Sequence, residues 1–284
     1  MTLFAGSIPE FYHRYLGPLL SAGYATDLAG RLRSLPANDG CVLEVAAGTG
    51  VLTERLRSRL PPEVRLTATD LNAPMLDLAK RRIAGPMAAG ITWRVADAGS
   101  LPFNDECFDA VVCQFGVMFF PDKGQAARET YRVLRPSGQW LFNVWGSWAE
   151  NSFGPIVHEA IASFFPDDPP QFNRVPFGFH DPVALRDLVL GAGFPEPEIT
   201  ELTRMAEAPS AAEAAIGFVR GNPSITAIEE RGTANPEAII RKVAESLARA
   251  FGDYPLRVPT CIRVVSAHRP RFESKNRSAS GSQG

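Results

Sequence analysis

The chain has 284 residues, of which 45% are hydrophobic and 21% charged, and its formal net charge is -2. This composition is typical of a soluble globular protein, and the near-neutral charge offers no general attraction for nucleic acid. No apolar run reaches the ~18 residues that a membrane span requires, and the N-terminus lacks the segments of a signal peptide. We therefore expect a cytoplasmic protein without a membrane span.

The cysteines are Cys41, Cys107, Cys113 and Cys261, and none belongs to a C-x-x-C pair. Three of them lie in apolar runs that are typical of strands. We expect buried free thiols in a reducing compartment, with neither a disulfide nor a metal site.

Strand and helix signals alternate in the first half of the chain. The apolar runs predict five strands, at residues 41–46, 65–70, 91–95, 108–114 and 139–145. Between them, the spacing of Leu52, Leu56 and Leu60 predicts a helix, as do Asn72 before Pro74 and a capping box from Asp122 to Gln125. This alternation predicts a parallel sheet with helices on both faces.

The flanking regions are less regular. Residues 21–35 predict an amphipathic helix, and residues 146–180 predict a long loop with room for one helix. Further signals predict, in chain order, a helix from Asp181, a strand at 197–202, a capping box at Ser210, a helix from Asn235 to Gly252 and a strand at 261–267.

Three regions are expected from this pattern. Residues 1–35 would form an N-terminal helical lid segment, and residues 36–270 would form one α/β domain. Residues 271–284 have no apolar content to bury, so we expect a disordered tail.

The turn after the first strand reads Glu44-Val45-Ala46-Ala47-Gly48-Thr49-Gly50. Gly48 and Gly50 allow the backbone to approach a ligand, and the next helix presents free N–H groups there. Ligands of open α/β sheets bind at such strand ends. A short glycine-rich turn is by itself a weak signal, since many helices begin after one.

Polar residues also end the next three strands. Asp70 ends the second, where a carboxylate can accept both ribose hydroxyls. Asp97 follows the third, where it can accept from an adenine amino group, and Gln114 ends the fourth. Each has an ordinary alternative, such as a helix cap for Asp70 or a turn for Asp97. Together they favour a ligand site at this edge of the sheet.

A nicotinamide-dependent oxidoreductase is one alternative. Its fingerprint is G-x-G-x-x-G, whereas residues 46–51 read Ala-Ala-Gly-Thr-Gly-Val and lack the first and third glycines. Glu44 would also repel a pyrophosphate, whereas it would attract the ammonium group of a bound amino acid.

Four stretches, VLEVAAGTG, TATDLNAPML, VADAGSLPF and CFDAVVCQFGVMFFPD, resemble motifs of the class I S-adenosylmethionine-dependent methyltransferases. The resemblance covers residues 8–145 and 181–268. AAGTG, FGVMFFPDK and YRVLRPSG are especially similar to the quinone C-methyltransferases and the related methyltransferase type 11 group. The chain differs where Val117-Met118-Phe119 replaces the Arg-Asn pair of the quinone enzymes, which argues against quinone methylation.

The resemblance implies S-adenosyl-L-methionine as the cofactor. The residues that it assigns to cofactor binding are Glu44, Ala46, Gly48, Gly50, Asp70, Leu71, Asp97, Ala98, Gln114 and Phe115. Glu44 and Gln114 would face the amino acid end of the cofactor. Asp70 would bind the ribose, and Leu71 and Asp97 would hold the adenine.

The resemblance also implies a doubly wound, seven-stranded, Rossmann-like methyltransferase sheet. Its antiparallel last strand would slot in beside its neighbour. Residues 203–257 would be an insertion that forms a helical cap over the substrate.

Methyl transfer from a sulfonium is an in-line displacement, so the protein mainly aligns the reactants and excludes water. A general base is needed only if the nucleophile must lose a proton. The candidates are His158, Tyr15 and His13, followed by Tyr12 and His180. A lone histidine is more often a packed or exposed residue than a base.

An aromatic cluster follows the fourth and fifth strands. Its members are Phe115, Phe119, Phe120, Trp145, Trp148, Phe153, Phe164 and Phe165. Each alone is typical of ordinary core. Together they favour a small apolar or aromatic substrate.

Two further alternatives remain open. An RNA or protein methyltransferase would need an extended or basic recognition surface, which the charge does not indicate. A non-catalytic protein that binds the cofactor as a partner is compatible with the sequence, because methyl transfer requires no diagnostic catalytic residue. The sequence does not set the oligomeric state, and a homodimer is compatible with it.

Overall fold

The computed structural model describes residues 4–33, 35–36 and 39–271. The strands in these residues are β1 Cys41–Val45, β2 Arg65–Asp70, β3 Ile91–Val95, β4 Phe108–Gln114, β5 Leu134–Trp145, β6 Glu198–Ala208 and β7 Leu256–His268. The α-helices are α1 Ile8–Phe11, α2 Ala22–Gly30, α3 Val51–Arg59, α4 Ala73–Arg82, α5 Lys123–Val133, α6 Phe153–Ala162, α7 Pro182–Gly191, α8 Ala211–Arg220, α9 Ser224–Arg231 and α10 Pro236–Phe251. A π-helix spans Tyr12–Ser21, and short 3-10 helices span Gly85–Ala88, Val117–Phe119 and Phe172–Phe177.

The seven strands form one sheet in the order β3-β2-β1-β4-β5-β7-β6. Strands β1 to β5 are parallel to one another, and β7 runs antiparallel to both β5 and β6. This confirms the expected doubly wound α/β fold with an antiparallel last strand. The strand order reverses between β1 and β4, so a crevice is expected at their carboxyl ends.

Burial explains why the central strands read as continuous apolar runs. All five residues of β1 are buried, as expected for a parallel strand with helices on both faces. The main core joins strand residues such as Leu43 and Phe142 to helix residues such as Leu56 and Ile161. Among the described residues, no helix combines the length and apolar character needed to cross a membrane.

The predicted helix starts are confirmed by their caps. Asp122, Asp181, Ser210 and Asn235 each accept a hydrogen bond from a backbone N–H in the first turn of the helix that follows. Asn72 occupies the N-cap position of α4 without a side-chain cap; its amide Nδ2 donates to Asp70 Oδ1 at 3.1 Å.

The N-terminal helix differs from its prediction. Helical structure begins at Ile8 and α2 ends at Gly30, so the expected helix over residues 21–35 was placed too late. Pro18 lies inside the π-helix. Because proline is typical of a helix break, the sequence pattern did not predict the helical structure in the first half of this region. The predicted tail lies outside the described residues, except for Arg271.

The second half contains more regular structure than expected. Helix α6 and the 3-10 helix Phe172–Phe177 occupy the predicted loop, and α9 was not predicted. Strands β6 and β7 remain paired from Glu198–Ser266 to Ala208–Leu256, so they run into both ends of the segment assigned to the insertion. Helices α8 to α10 connect the two strands. The last residues of β6 are mostly exposed and polar. For this reason the predicted strand ended at residue 202, before the end of β6.

Candidate functional site

A cavity of about 300 Å³ lies at the carboxyl ends of the central strands. Its wall contains nine of the ten residues assigned to the cofactor, namely Glu44, Ala46, Gly48, Asp70, Leu71, Asp97, Ala98, Gln114 and Phe115. The topology brings them together because β1, β2 and β4 are neighbours and end at the same edge of the sheet.

The two glycines of the turn have different environments. Gly48 has a φ of 57°, lines the cavity, and has open space where a Cβ would stand. Gly50 has a φ of 82° and caps α3, and a Cβ there would lie 2.9 Å from Ile83 Cδ1 and 3.1 Å from Ala79 Cβ. Gly50 therefore permits the close approach of α4 and does not line the cavity, in contrast to its predicted role.

Asp70 organises the turn from the end of β2. Its Oδ2 accepts a hydrogen bond of 2.8 Å from the backbone N–H of Gly48, and its Oδ1 accepts from the backbone N–H and the amide of Asn72 at 2.8 and 3.1 Å. The carboxyl is only 7% exposed, and burial raises its pKa although these hydrogen bonds oppose the shift. A carboxylate oxygen can accept more than one hydrogen bond, so Asp70 retains acceptor capacity towards the cavity.

Glu44 is a buried carboxyl in the floor of the cavity. Its side chain is 1% exposed, and Oε2 has no hydrogen-bond partner among the described residues. Burial raises the pKa of Glu44 to about 8; hydrogen bonding from Thr53 opposes the shift, and the nearby charge of Asp70 adds to it. The unpartnered Oε2 calls for a donor or a cation, which a ligand can supply.

Gln114 and Phe115 form the adjoining wall at the end of β4. The Gln114 amide Nε2 donates to the backbone oxygen of Ser21 at 2.9 Å, which leaves Oε1 buried without a partner among the described residues. Phe115 has a φ of 52°, and its ring stacks on Trp145 with centroids 4.5 Å apart. Its strained backbone is held by the Asn143 side chain, which accepts from the Phe115 N–H at 2.9 Å.

Leu71 and Asp97 stand at the open side of the cavity. Leu71 lines the cavity and is 61% exposed. Asp97 is also exposed, and its Oδ1 accepts from the backbone N–H of Gly99 at 2.8 Å. An exposed apolar side chain next to an exposed acceptor suits a flat, polar-edged ring such as a purine.

The ionisable side chains of the described wall are acidic. Glu44, Asp70 and Asp97 line the cavity, and its described wall includes no lysine, arginine or histidine. A pyrophosphate would meet three carboxyls and no cation, whereas a ligand with positive groups would be attracted. The wall therefore disfavours a dinucleotide, in agreement with the glycine pattern.

A second part of the wall, here called the aromatic end, consists of rings that pack on one another. Five members of the predicted cluster line it, namely Phe115, Phe119, Phe120, Trp145 and Phe153. Trp148, Phe164 and Phe165 pack elsewhere on the core instead. The prediction missed other aromatic residues of the wall, namely Phe4, Phe172, Phe177 and Phe218. These come from segments without a motif, so only their composition could have suggested them.

The structure places none of the three leading base candidates in the cavity wall. His158 is buried against Trp148 with ring centroids 5.8 Å apart, and Tyr15 stacks on Phe11. His13 shares a hydrogen bond of 3.4 Å with Thr49, and burial lowers its pKa. Geometry gives these side chains no catalytic position.

The two further candidates differ from each other. His180 is engaged with the backbone oxygen of Phe177 at 2.8 Å and lies outside the wall. Tyr12 does line the cavity, where its hydroxyl shares a hydrogen bond of 2.9 Å with Ser21. Burial raises the pKa of Tyr12, so its phenol is not a base near neutral pH.

The four cysteines are not among the described residues of the cavity wall. All four are free thiols, and burial raises the pKa of Cys113 to about 12. Glu150, Glu201 and Cys261 converge within metal-binding distance of one another. Arg263 already occupies this group, with Nη2 2.6 Å from Glu150 Oε1 and Nη1 3.3 Å from Glu201 Oε2. The group is therefore satisfied by an ion-pair network.

Comparison with known proteins finds similarity to methyltransferases. Residues 42–138 match the model of a methyltransferase domain. The ubiquinone/menaquinone biosynthesis C-methyltransferase UbiE of Geotalea daltonii is 36% identical over 104 residues, which are 36% of this chain and 44% of that protein. The protein of the same name from Desulfotalea psychrophila is 32% identical over 169 residues, 55% of this chain and 65% of that protein.

This chain thus spans less than two thirds of each of these curated relatives. Among solved structures, Haemonchus contortus phosphoethanolamine N-methyltransferase 2 in complex with S-adenosyl-L-methionine is similar, with a TM-score of 0.60 and 16% identity. The alignment covers 93% of this chain and 57% of that one. At this identity the similarity concerns the fold.

Proposed function

The chain carries a class I methyltransferase domain related to the quinone C-methyltransferases, and from this premise we propose that it is an S-adenosylmethionine-dependent enzyme. Its substrate is a small apolar or aromatic molecule. The observation that carries this proposal is one cavity whose described wall combines three carboxyls and no cation with a cluster of packed aromatic rings.

The acidic end fits the cofactor. S-Adenosylmethionine has an ammonium and a sulfonium group, and the buried acceptors Glu44 Oε2 and Gln114 Oε1 lack partners within the described protein. The ammonium would satisfy them, with Asp70 holding the ribose and Leu71 and Asp97 the adenine. Gly48 leaves room beneath the methionine part because a Cβ there would meet open space.

A bound cofactor would supply an activated methyl group for transfer to the nucleophile of the acceptor molecule. The protein contributes by aligning the reactants and by excluding water from them. Phe115 and Trp145 form a stacked wall, and Phe153 packs edge-on against Trp145 with centroids 5.8 Å apart. These rings shape the space for the acceptor molecule and exclude water from it.

Proton removal does not depend on a histidine in this proposal. The described wall has none, and the raised pKa of Tyr12 makes its phenol a poor base. We therefore expect acceptors whose nucleophile is ionised or carries no proton near neutral pH.

Quinone-type acceptors belong to the chemical class that should be tested first, since the curated relatives are named for quinone synthesis. The stretch Val117-Met118-Phe119 replaces the Arg-Asn pair of the quinone enzymes, and Met118 and Phe119 line the cavity. The substrate preference is therefore expected to be more apolar than that of those enzymes.

Calorimetry with S-adenosylmethionine, S-adenosylhomocysteine and NADH tests the proposal. We expect micromolar binding of the two adenosyl ligands, none of NADH, and at least tenfold weaker adenosyl binding in Asp70→Asn. Asp77→Asn is the matched control, because Asp77 is an exposed carboxylate on α4 outside the cavity wall. A folded wild-type protein that binds neither adenosyl ligand would refute the assignment.

Transfer is then measured with methyl-labelled S-adenosylmethionine and a panel of phenols, quinols and aromatic acids. Label in an organic-extractable product supports a small-molecule methyltransferase. Label in RNA or protein, or binding without any transfer, would instead support one of the alternative functions.

A further inference from the structure

Two asparagines meet at the aromatic end of the cavity. Asn173 belongs to the 3-10 helix Phe172–Phe177, and Asn222 follows the end of α8. Both line the cavity, and each is only 8% exposed. One comes from the connection between β5 and β6 and the other from the connection between β6 and β7, so the tertiary structure alone pairs them.

Asn222 has a fixed amide orientation. Its Oδ1 accepts a hydrogen bond of 2.8 Å from the backbone N–H of Ser224, and its Nδ2 donates to the backbone oxygen of Phe218 at 2.8 Å. If the Asn222 amide were flipped, its NH2 group would face the N–H of Ser224 and its oxygen would face the backbone oxygen of Phe218. Neither hydrogen bond could then form. The hydrogen-bond network therefore determines that Nδ2 of Asn222 faces Asn173.

The orientation of Asn173 follows from this. The Asn222 Nδ2 donates a long hydrogen bond of 3.5 Å to Asn173 Oδ1. The opposite atom of the same amide, Asn173 Nδ2, is buried without a hydrogen-bond partner among the described residues. A buried unpartnered donor is uncommon in proteins and requires a specific explanation.

The surroundings define what this donor can recognise. The neighbouring rings of the wall pack on one another, with Phe119 stacked on Phe172 at 5.9 Å and Phe153 against Phe177 at 5.9 Å. The carboxyls of the wall all belong to the strand ends or the turns after them, in the acidic half. The aromatic half thus offers apolar contact and one hydrogen-bond donor that needs an acceptor.

We propose that Asn173 is a specificity-determining residue that donates from Nδ2 to an oxygen of the methyl acceptor. The substrate class is then a ring-bearing apolar molecule with a carbonyl or hydroxyl oxygen. Asn222 is a positioning residue, because it orients the Asn173 amide. This proposal rests on the proposed function, since it places the substrate in the aromatic half beside the cofactor.

Equilibrium dialysis of three probes against the protein saturated with S-adenosylhomocysteine tests the proposal. The probes are 2-naphthol, methyl 2-naphthyl ketone and naphthalene, which share one ring system and differ in the oxygen. We expect wild-type protein to bind at least one oxygenated probe about five- to tenfold more tightly than naphthalene. The two oxygenated probes distinguish a hydroxyl from a carbonyl acceptor.

The Asn173→Leu variant should lose this preference while it retains naphthalene and S-adenosylhomocysteine binding. Asn173→Ala provides the same test if the leucine variant does not fold. Gln171→Leu is the matched control, because Gln171 is an exposed amide two residues away outside the wall. Asn222→Ala should reduce the preference for oxygen more than it reduces naphthalene binding, which a merely structural role would not do.

Failure of the proposed function and failure of this inference give different results. Absence of S-adenosylhomocysteine binding in the wild type would refute the proposed function itself. If that ligand binds, the inference is overturned by a wild type without preference for an oxygenated probe, or by a preference that both Asn173 variants retain.

Discussion

Asp70 at the end of β2 accepts a hydrogen bond of 2.8 Å from the backbone N–H of Gly48, in the turn after β1. This contact joins two neighbouring strand ends across the floor of the cavity. It makes one buried carboxyl both a structural anchor of the turn and a candidate ligand of the cofactor ribose.

Asp70→Ala should lower the free energy of unfolding by about 1 to 3 kcal/mol, because the N–H groups of Gly48 and Asn72 lose their acceptor. Asp70→Asn keeps one acceptor oxygen and should lose less. Urea unfolding of the ligand-free proteins measures both values. An alanine variant as stable as the wild type would show that Asp70 does not anchor the turn.

Glu44 should make adenosyl-ligand binding depend on pH. Its pKa is about 8 in the ligand-free protein, so the carboxyl is mostly protonated at pH 7. A bound ammonium favours the ionised form and lowers that pKa, so binding releases a proton. Affinity for S-adenosylmethionine should therefore rise with pH and level off above about 8.

Calorimetry in buffers of different ionisation enthalpy measures this proton release. Glu44→Gln keeps the titration of the ligand amino group and removes that of the protein, so the difference between the two proteins isolates Glu44. Identical pH profiles would contradict the prediction.

As pH rises, the Glu44 carboxyl should lower the stability of the ligand-free protein, whereas it should strengthen adenosyl binding. A carboxyl with a raised pKa in the folded state contributes stability that is present below its unfolded value of 4.5 and is lost as pH rises through about 8. Wild-type stability relative to Glu44→Gln should therefore fall over this pH interval. Parallel urea titrations at pH 5 and pH 8.5 check the sign.

The two turn glycines should respond differently to alanine. Both have positive φ, so each substitution costs about 1 kcal/mol of backbone strain. Gly50→Ala also places a Cβ 2.9 Å from Ile83 Cδ1, and it should lose at least about 1 kcal/mol more than Gly48→Ala. Gly48→Ala should instead mainly weaken cofactor binding, because its methyl projects into open space in the wall. Urea unfolding and calorimetry of both variants test this pairing, and equal losses of stability would contradict it.

Leu71→Ala should weaken adenosyl binding by about 5- to 20-fold and leave stability within about 0.5 kcal/mol, because its side chain is 61% exposed until a ligand covers it. Val183→Ala is the control, since Val183 is 62% exposed on α7 outside the wall. Calorimetry measures the affinity. An unchanged affinity would show that Leu71 does not cover the ligand.

The acidic half of the site was largely predictable from the sequence. Glu44, Asp70 and Asp97 are at or next to the ends of parallel strands, and local apolar periodicity is enough to place those ends. Since neighbouring parallel strands end at one edge, sequence spacing alone brings the carboxyls together. Gly50 was misassigned, because a motif does not distinguish a glycine that faces a ligand from one that faces a helix.

The aromatic half could not be predicted in the same way. Phe172, Phe177 and Phe218 lie in connections whose path over the sheet is set by packing. The same limit applied to His158, which follows the expected strand but turns away from the cavity towards Trp148.

The sequence by itself determined the α/β fold, the strand ends and the acidic residues on them, because these depend on local periodicity and on short turns. Only the tertiary structure decided that Asn173 and Asn222 meet, and which rings surround them. Their contact joins residues 49 positions apart through an amide network, and no local propensity encodes such a pairing. It arises because the connections on either side of β6 must both bury their apolar faces over the same edge of the sheet.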